Sequence, residues 1–172
     1  MTQYLSLSDP MYTKIEDAVR QTYSNSCIVW IERVINPELE EKHDIYKASF
    51  DKPNVKQLFH GTSEEICRKI VSTGFDPTFN KVSAHGKGVY FSTRAAYSKE
   101  YSRMRMSRKA DLAYMLVCDV VLGKVGEGRA STVIPKEYDS VTDSLHNPDM
   151  YIIDKPYAAI PRYLVVFYPY AK

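Results

Sequence analysis

Leu112 to Leu122 is the most apolar stretch of the chain, and Gly123 ends it. Its uninterrupted apolar part, Leu112–Cys118, is far too short to cross a membrane. A short run of this kind reads as a strand in the middle of a sheet. The other segments then have to supply neighbouring strands and cover.

They do so in a definite order. Asp9 followed by Pro10 predicts a helix start, and Met11, Ile15, Ala18, Val19 and Tyr23 repeat at helical spacing. Cys27–Ile31 is β-branched and apolar and predicts a buried strand running to about Ile35. Residues 36–54 are polar, with Pro37, Glu38–Glu41 and Pro53, and read as a connecting region with at most a short helix. Val55–Phe59 predicts a second strand, which delivers His60-Gly61-Thr62. Thr62 with Glu65 fits a capping box; Ile66, Cys67, Ile70 and Val71 then form a helical stripe that Gly74 stops. Residues 75–87, with Pro77, Asn80 and Gly86, read as a loop, Gly88–Ser92 as a short strand and 94–102 as a helix. Residues 103–110 carry Arg103, Arg105, Arg108 and Lys109. After a polar stretch over 123–147, Met150–Ile153 and Tyr163–Tyr168 predict two more strands. Helices come early and strands late, without regular alternation. This favours one α+β domain over residues 1–172, with a largely antiparallel sheet, over a doubly wound fold.

Composition excludes several classes. Lys and Arg total 23 against 21 Asp and Glu, a net of +2, too balanced for bulk charge to point to a polyanion partner. Cys27, Cys67 and Cys118 lie far apart, no CxxC exists, and only four His are present, which argues against a zinc site. Cys67 and Cys118 sit in apolar surroundings and read as buried thiols of a reducing compartment. Met1-Thr2-Gln3-Tyr4 lacks a basic n-region and an apolar core, so a soluble intracellular protein, cytoplasmic or nuclear, is expected. Neither GxGxxG nor GxxxxGK[ST] occurs.

Three clusters could carry chemistry. His60 sits at a strand end, where it can hydrogen-bond a ligand hydroxyl, and Gly61 lets the backbone approach a ligand closely. Taken alone, such a pair is more often a turn glycine beside a surface histidine. Gly86-Lys87-Gly88 followed by Tyr90 adds a second close-approach loop and an aromatic. Tyr97 and Tyr101 flank Ser98, so rings could enclose a planar group while the hydroxyl binds its polar substituent. Singly, Tyr90 and Tyr101 are more often core aromatics. Together the clusters outline a pocket for a flat, hydroxyl-bearing ligand.

These residues, in this order, resemble the catalytic domain of the poly(ADP-ribose) polymerase-like ADP-ribosyltransferases. The resemblance rests on Leu58-Phe59-His60-Gly61-Thr62, on Gly86-Lys87-Gly88-Val89-Tyr90-Phe91 followed by Ser98-Lys99-Glu100-Tyr101, and on Asn147-Pro148-Asp149-Met150-Tyr151-Ile152-Ile153, closing with Pro161-Arg162-Tyr163-Leu164. It runs from about residue 10 to 168. It implies a split antiparallel β core with flanking helices, not a Rossmann fold, and NAD+ as co-substrate without a metal. His60 would bind the adenosine ribose, with Thr62 beside it in the same motif. The backbone of Gly61 and the hydroxyl of Ser98 would hold the nicotinamide carboxamide, and Tyr90 and Tyr101 would pack on either side of the ring. The 75–87 loop would line the adenosine and phosphate side. Nicotinamide leaves with little covalent help, so orientation and exclusion of water would carry the catalysis.

Polymerising members carry a Glu where this chain has Met150. Methionine can neither bond the ribose hydroxyl nor activate a growing chain. The resemblance therefore implies transfer of a single ADP-ribose to a protein acceptor, the protein itself included, with His60, Tyr90 and Met150 as the catalytic set. Asp149 is adjacent, but strand alternation should turn it to the other face. Ala158 stands where many relatives have Gln, with no functional reading. Two alternatives stand against transfer to protein. One is a non-catalytic NAD pocket. The other is chemistry on nucleic acid, including the related RNA 2′-phosphate reaction, with the basic 103–109 segment on phosphates. Intact His60, Tyr90, Ser98 and Tyr101 weigh against the first, and the lack of an Arg-rich catalytic cluster against the second.

Overall fold

The computed structural model describes residues 1–79, 84–107 and 109–170. Among them the chain order is β1 (Thr2–Tyr4), α1 (Pro10–Arg20), β2 (Cys27–Val34), α2 (Pro37–Ala48), β3 (Val55–Thr62) and α3 (Glu64–Thr73). A 3-10 turn (Pro77–Phe79) precedes β4 (Val89–Ser92), α4 (Ala95–Met104) and β5 (Ala113–Val121). The chain closes with β6 (Val125–Glu127), β7 (Ser140–Thr142), β8 (Met150–Ile153) and β9 (Ala159–Tyr168). Asn80 and Arg108 lie outside the described residues. No helix among those described is long and apolar enough to cross a membrane.

The strands form one sheet in the order β1-β2-β9-β5-β3-β4-β8-β7-β6, antiparallel except for the β6–β7 pair. β5 is fully paired on both sides, to β3 and β9. Alternation along it explains its composition. Ala113, Met115 and Val117 point to the side covered by α1, with Ile15 and Val19. Tyr114, Leu116, Cys118, Val120 and Leu122 point to the side covered by α3, with Cys67, Ile70 and Val71. Both faces of β5 are covered, and only Asp119, partly exposed and paired with Arg162 at 2.9 Å, interrupts its apolar run. Cys67 and Cys118 are both buried, and burial raises both thiols, Cys67 to about 12.

The sheet is nearly split. β3 meets β4 at a single register pair, Phe59 with Ser92, and beyond it the strands diverge. This division of an antiparallel core with flanking helices is the α+β arrangement expected from the sequence.

Several local expectations change. Residues 37–48 form a full helix, α2, not a connecting stretch: Asn36 caps it by accepting from Leu39 N at 3.2 Å, and Pro37 takes the first turn. Its buried contribution is only Leu39 and His43, so it offers no apolar stripe to read. Ser63, not Thr62, caps α3, because β3 continues through Thr62; Ser63 Oγ accepts from Ile66 N at 3.3 Å. β2 is buried only at Ile31 and Glu32, since β1 covers just its last residues. The 123–147 stretch holds two three-residue strands, β6 and β7, too short to show alternation.

Glu32 is a buried carboxylate, 1% exposed, gripped by Arg68 through two bonds of 2.6 and 2.9 Å and by Trp30 Nε1 at 2.8 Å. Burial pushes its pKa up, but hydrogen bonds from Arg68, Thr2 and Trp30 outweigh that and hold it down to about 2. The pair ties β2 to α3.

Candidate active site

The divergence of β3 from β4 opens a cavity of about 820 Å³, within the range of small-molecule sites. His60, Gly61 and Thr62 of β3, Tyr90 of β4, Ser98 and Tyr101 of α4, and Met150 of β8 all line it. The residues expected to form the catalytic and cofactor-binding set therefore face one space, whereas Gly86, Lys87 and Gly88 do not line it.

His60 spans the split. Its Nδ1 lies 2.7 Å from the carbonyl oxygen of Tyr90, which can only accept, so Nδ1 carries the proton. The ring rests edge-on against Phe75 (5.3 Å between centroids, 83°) and tilts on Phe91 (5.5 Å, 50°). Burial lowers its pKa below the ordinary 6.5; the Tyr90 carbonyl opposes this and the charge of Arg105 adds to it. A neutral imidazole donating through Nδ1 keeps Nε2 as an acceptor, suited to a ligand hydroxyl.

Gly61 has a packing reason. A Cβ there would collide with the carbonyl oxygen of Ser98 and with Ser102 Oγ. The missing side chain lets α4 lie directly on β3. Ser102 Oγ anchors the helix further, donating to the Tyr114 carbonyl of β5 at 2.6 Å. Ser98, 2% exposed, is thereby set into the cavity wall beside the Gly61 backbone. Gly88, with φ +153°, meets the Ile153 carbonyl in the same manner and seats β4 on β8.

Tyr90 holds the 84–88 turn. Its hydroxyl donates to the Gly86 carbonyl at 2.6 Å and accepts from His85 N at 2.9 Å. Its ring packs, as does that of Tyr97, against the buried cluster of Ile134, Val141, Met150 and Ile152. Tyr97, whose hydroxyl lies 3.3 Å from that of Tyr101 and whose ring centroid lies 5.4 Å away, is the aromatic in contact with Tyr101. Met150 is 8% exposed; its N–H donates to Asp143 Oδ1 at 3.1 Å and its carbonyl accepts from Thr142 Oγ1 at 2.8 Å. Asp149 turns away to Arg94, 3.2 Å distant, and does not line the cavity.

Phe75, Asp76, Pro77 and Thr78, from the 75–87 loop expected at the ligand, line the cavity, and so do residues of α3 and α4 that were not read as site residues. Glu65 and Lys69 lie one turn apart on α3, Phe75 and Asp76 follow it, and Arg105 comes from the end of α4. Ile66, expected in the apolar stripe with Cys67, Ile70 and Val71, is instead 39% exposed and lines the cavity. Tyr157, on the turn before β9, also borders the cavity, and α2 holds that turn: His43 Nδ1 donates to its carbonyl at 2.9 Å.

With that geometry in place, comparison with known proteins is decisive. The profile of the poly(ADP-ribose) polymerase catalytic domain matches residues 10–148. The chain belongs to this family. Its relatives include the human protein mono-ADP-ribosyltransferase PARP14, 32% identical over 178 residues, which covers 93% of this chain and 10% of that protein. Human protein mono-ADP-ribosyltransferase PARP12 is 31% identical, with 95% of this chain and 25% of that protein covered. Mouse protein mono-ADP-ribosyltransferase PARP10 is 28% identical, with 88% and 18% covered. The chain thus spans between a tenth and a quarter of the length of these relatives. The family profile ends at Pro148, just before Met150, while the PARP14 and PARP12 matches cover nearly the whole chain.

Proposed function

We propose that this chain transfers one ADP-ribose from NAD+ to a protein acceptor and releases nicotinamide. PARP-type ADP-ribosyltransferases use NAD+ as co-substrate, and the relatives above are named for mono-ADP-ribosyl transfer to protein. The observation that carries the reading is Met150: an apolar side chain stands in the wall beside Tyr90, at the point where a polymerising site needs a carboxylate.

Each residue has a defined task. NAD+ supplies the ADP-ribosyl group and a leaving nicotinamide. His60 Nε2 accepts from a hydroxyl of the adenosine ribose, and Thr62 adjoins it. The Gly61 backbone and the Ser98 hydroxyl hold the carboxamide. Tyr90 and Tyr101 confine the ring between β4 and α4, and Tyr97 backs Tyr101. Water is kept out by the Phe59, Phe91 and Met150 side chains in the same wall. Transfer to nucleic acid gains no support: Arg103 is occupied by Glu100 at 3.2 Å and Arg105 lines the cavity instead of sharing a face with it.

The test is incubation of purified protein with labelled NAD+, read by gel and intact mass. A single ADP-ribose increment on the protein or on an added acceptor is expected; a ladder, or no label, overturns the reading. Met150→Glu is expected to leave the product monomeric. The carboxylate alone does not create a site for an ADP-ribose acceptor, and burying it at a position 8% exposed raises its pKa. Long polymer from this variant would show that residue 150 alone limits the product. Ser98→Ala should weaken binding of benzamide, a nicotinamide mimic, by about tenfold, one lost buried hydrogen bond. Equal affinity in calorimetry would remove Ser98 from the carboxamide site.

A further inference from the structure

Thr62, Glu65 and Arg105 line both the main cavity and a second one of about 450 Å³. Arg105 is exposed at the end of α4. Most other arginines are neutralised within the fold: Arg20 by Glu16, Arg33 by Asp9, Arg68 by Glu32, Arg94 by Asp149, Arg162 by Asp119. Arg105 has no carboxylate partner among the described residues, and Glu65 shares its wall without pairing to it. Its charge nevertheless reaches the imidazole of His60, which it helps keep neutral. Asp76, a further carboxylate of the main cavity, is engaged by Thr78 through its N–H at 2.9 Å and its hydroxyl at 2.6 Å.

An uncompensated guanidinium in a ligand cavity, close to the residue that faces a ribose, presents a planar fork of N–H donors. Phosphate oxygens match that fork; hydroxyls and neutral amides use it poorly. We propose that Arg105 reads a phosphate of the donor nucleotide and so sets which adenosine compounds the cavity accepts. This rests on the NAD+ reading above. In NAD+ the phosphates are those of the pyrophosphate that links its two halves; NADP+ carries a 2′-phosphate on the adenosine ribose besides, which serves as a control.

The experiment is calorimetric binding of adenosine, ADP-ribose, NADP+ and benzamide to the parent chain and to Arg105→Ala and Arg105→Lys. Arg105→Ala is expected to weaken ADP-ribose by about tenfold, the factor that one such interaction represents. Adenosine and benzamide, which carry no phosphate, should bind as before. Arg105→Lys, which keeps the charge and loses the fork, should fall between. Equal losses for ADP-ribose and NADP+ assign Arg105 to the pyrophosphate; a loss confined to NADP+ overturns the proposal, because the NAD+ donor carries no 2′-phosphate. Raising salt should weaken ADP-ribose binding less in Arg105→Ala than in the parent. Unchanged affinity for both phosphate ligands overturns the proposal, and so does an equal loss for all four, which marks a structural role. A parent chain that binds benzamide but neither adenosine nor ADP-ribose would overturn the donor-site reading itself, an outcome separate from any effect of Arg105.

Discussion

His60→Ala is expected to reduce labelling with NAD+ by about a hundredfold or more, the scale at which loss of one preorganised polar contact is felt in a transition state. Two losses combine. The ribose hydroxyl loses its acceptor, and the Tyr90 carbonyl loses the Nδ1–H that bridges β3 and β4 at 2.7 Å. The second loss reaches the 84–88 turn, because Tyr90 also holds Gly86 and His85. Tyr90→Phe separates the two effects: it frees the turn while His60 stays, and should lower the rate by about tenfold. Initial rates, with thermal melts as a folding control, distinguish them. A His60→Ala protein that melts normally and labels at the parental rate would move the site elsewhere. The imidazole also sets a pH limit. Burial depresses its pKa below 6.5, so the neutral form persists on acidification through the ordinary imidazole range. Activity should therefore hold at pH 6.5 and fall only below it. The same shift makes the unfolded chain take up the proton first, so His60 subtracts stability as pH falls below 6.5.

Arg68→Ala is expected to destabilise the fold by about 3 kcal/mol, measured by urea unfolding. Breaking a buried pair costs about 3–5 kcal/mol because the remaining charge is stranded, and the lower end applies here since Arg68 itself is 37% exposed to water. Glu32→Gln added to Arg68→Ala should restore about half: the amide carries no charge yet still accepts from Trp30 Nε1. The parent should show matching acid sensitivity. The folded carboxyl is held near 2 against an ordinary 4.5, so its contribution is complete above 4.5 and is lost as pH falls toward 2. Arg68→Ala should flatten that acid limb. A variant as stable as the parent would mean that water already carries the charge of Glu32.

How much was legible depended on how far each signal had to reach. The start of α1 was readable because Asp9 caps it locally, accepting from Met11 N at 2.8 Å. β5 was readable because a strand covered on both faces is apolar at nearly every position, whatever covers it; Asp119, half-buried and paired with Arg162, is the exception. His60-Gly61-Thr62, the Tyr90 strand, the Ser98–Tyr101 helix and Met150 were readable as pieces, each short and contiguous. α2 was not, since it turns few apolar residues inward and is held by one cap and a buried His43. The cap of α3 was misplaced by one residue because β3 runs on through Thr62 to pair with Tyr114, a contact with a partner far along the chain.

By itself the sequence determined the elements with strong local patterns and the set of side chains able to serve a flat, hydroxyl-bearing ligand. Tertiary structure alone decided how those side chains meet. The single β3–β4 register pair opens the cavity, Gly61 admits α4 to it, and Nδ1 of His60 is committed to a carbonyl thirty positions along the chain. It also decided that Glu32 is buried with Arg68 while Arg105 has no carboxylate partner among the described residues. The reason is physical: caps and alternation act over a turn or a few residues, whereas charge pairing, burial and ring tautomer depend on groups that only the folded chain brings together.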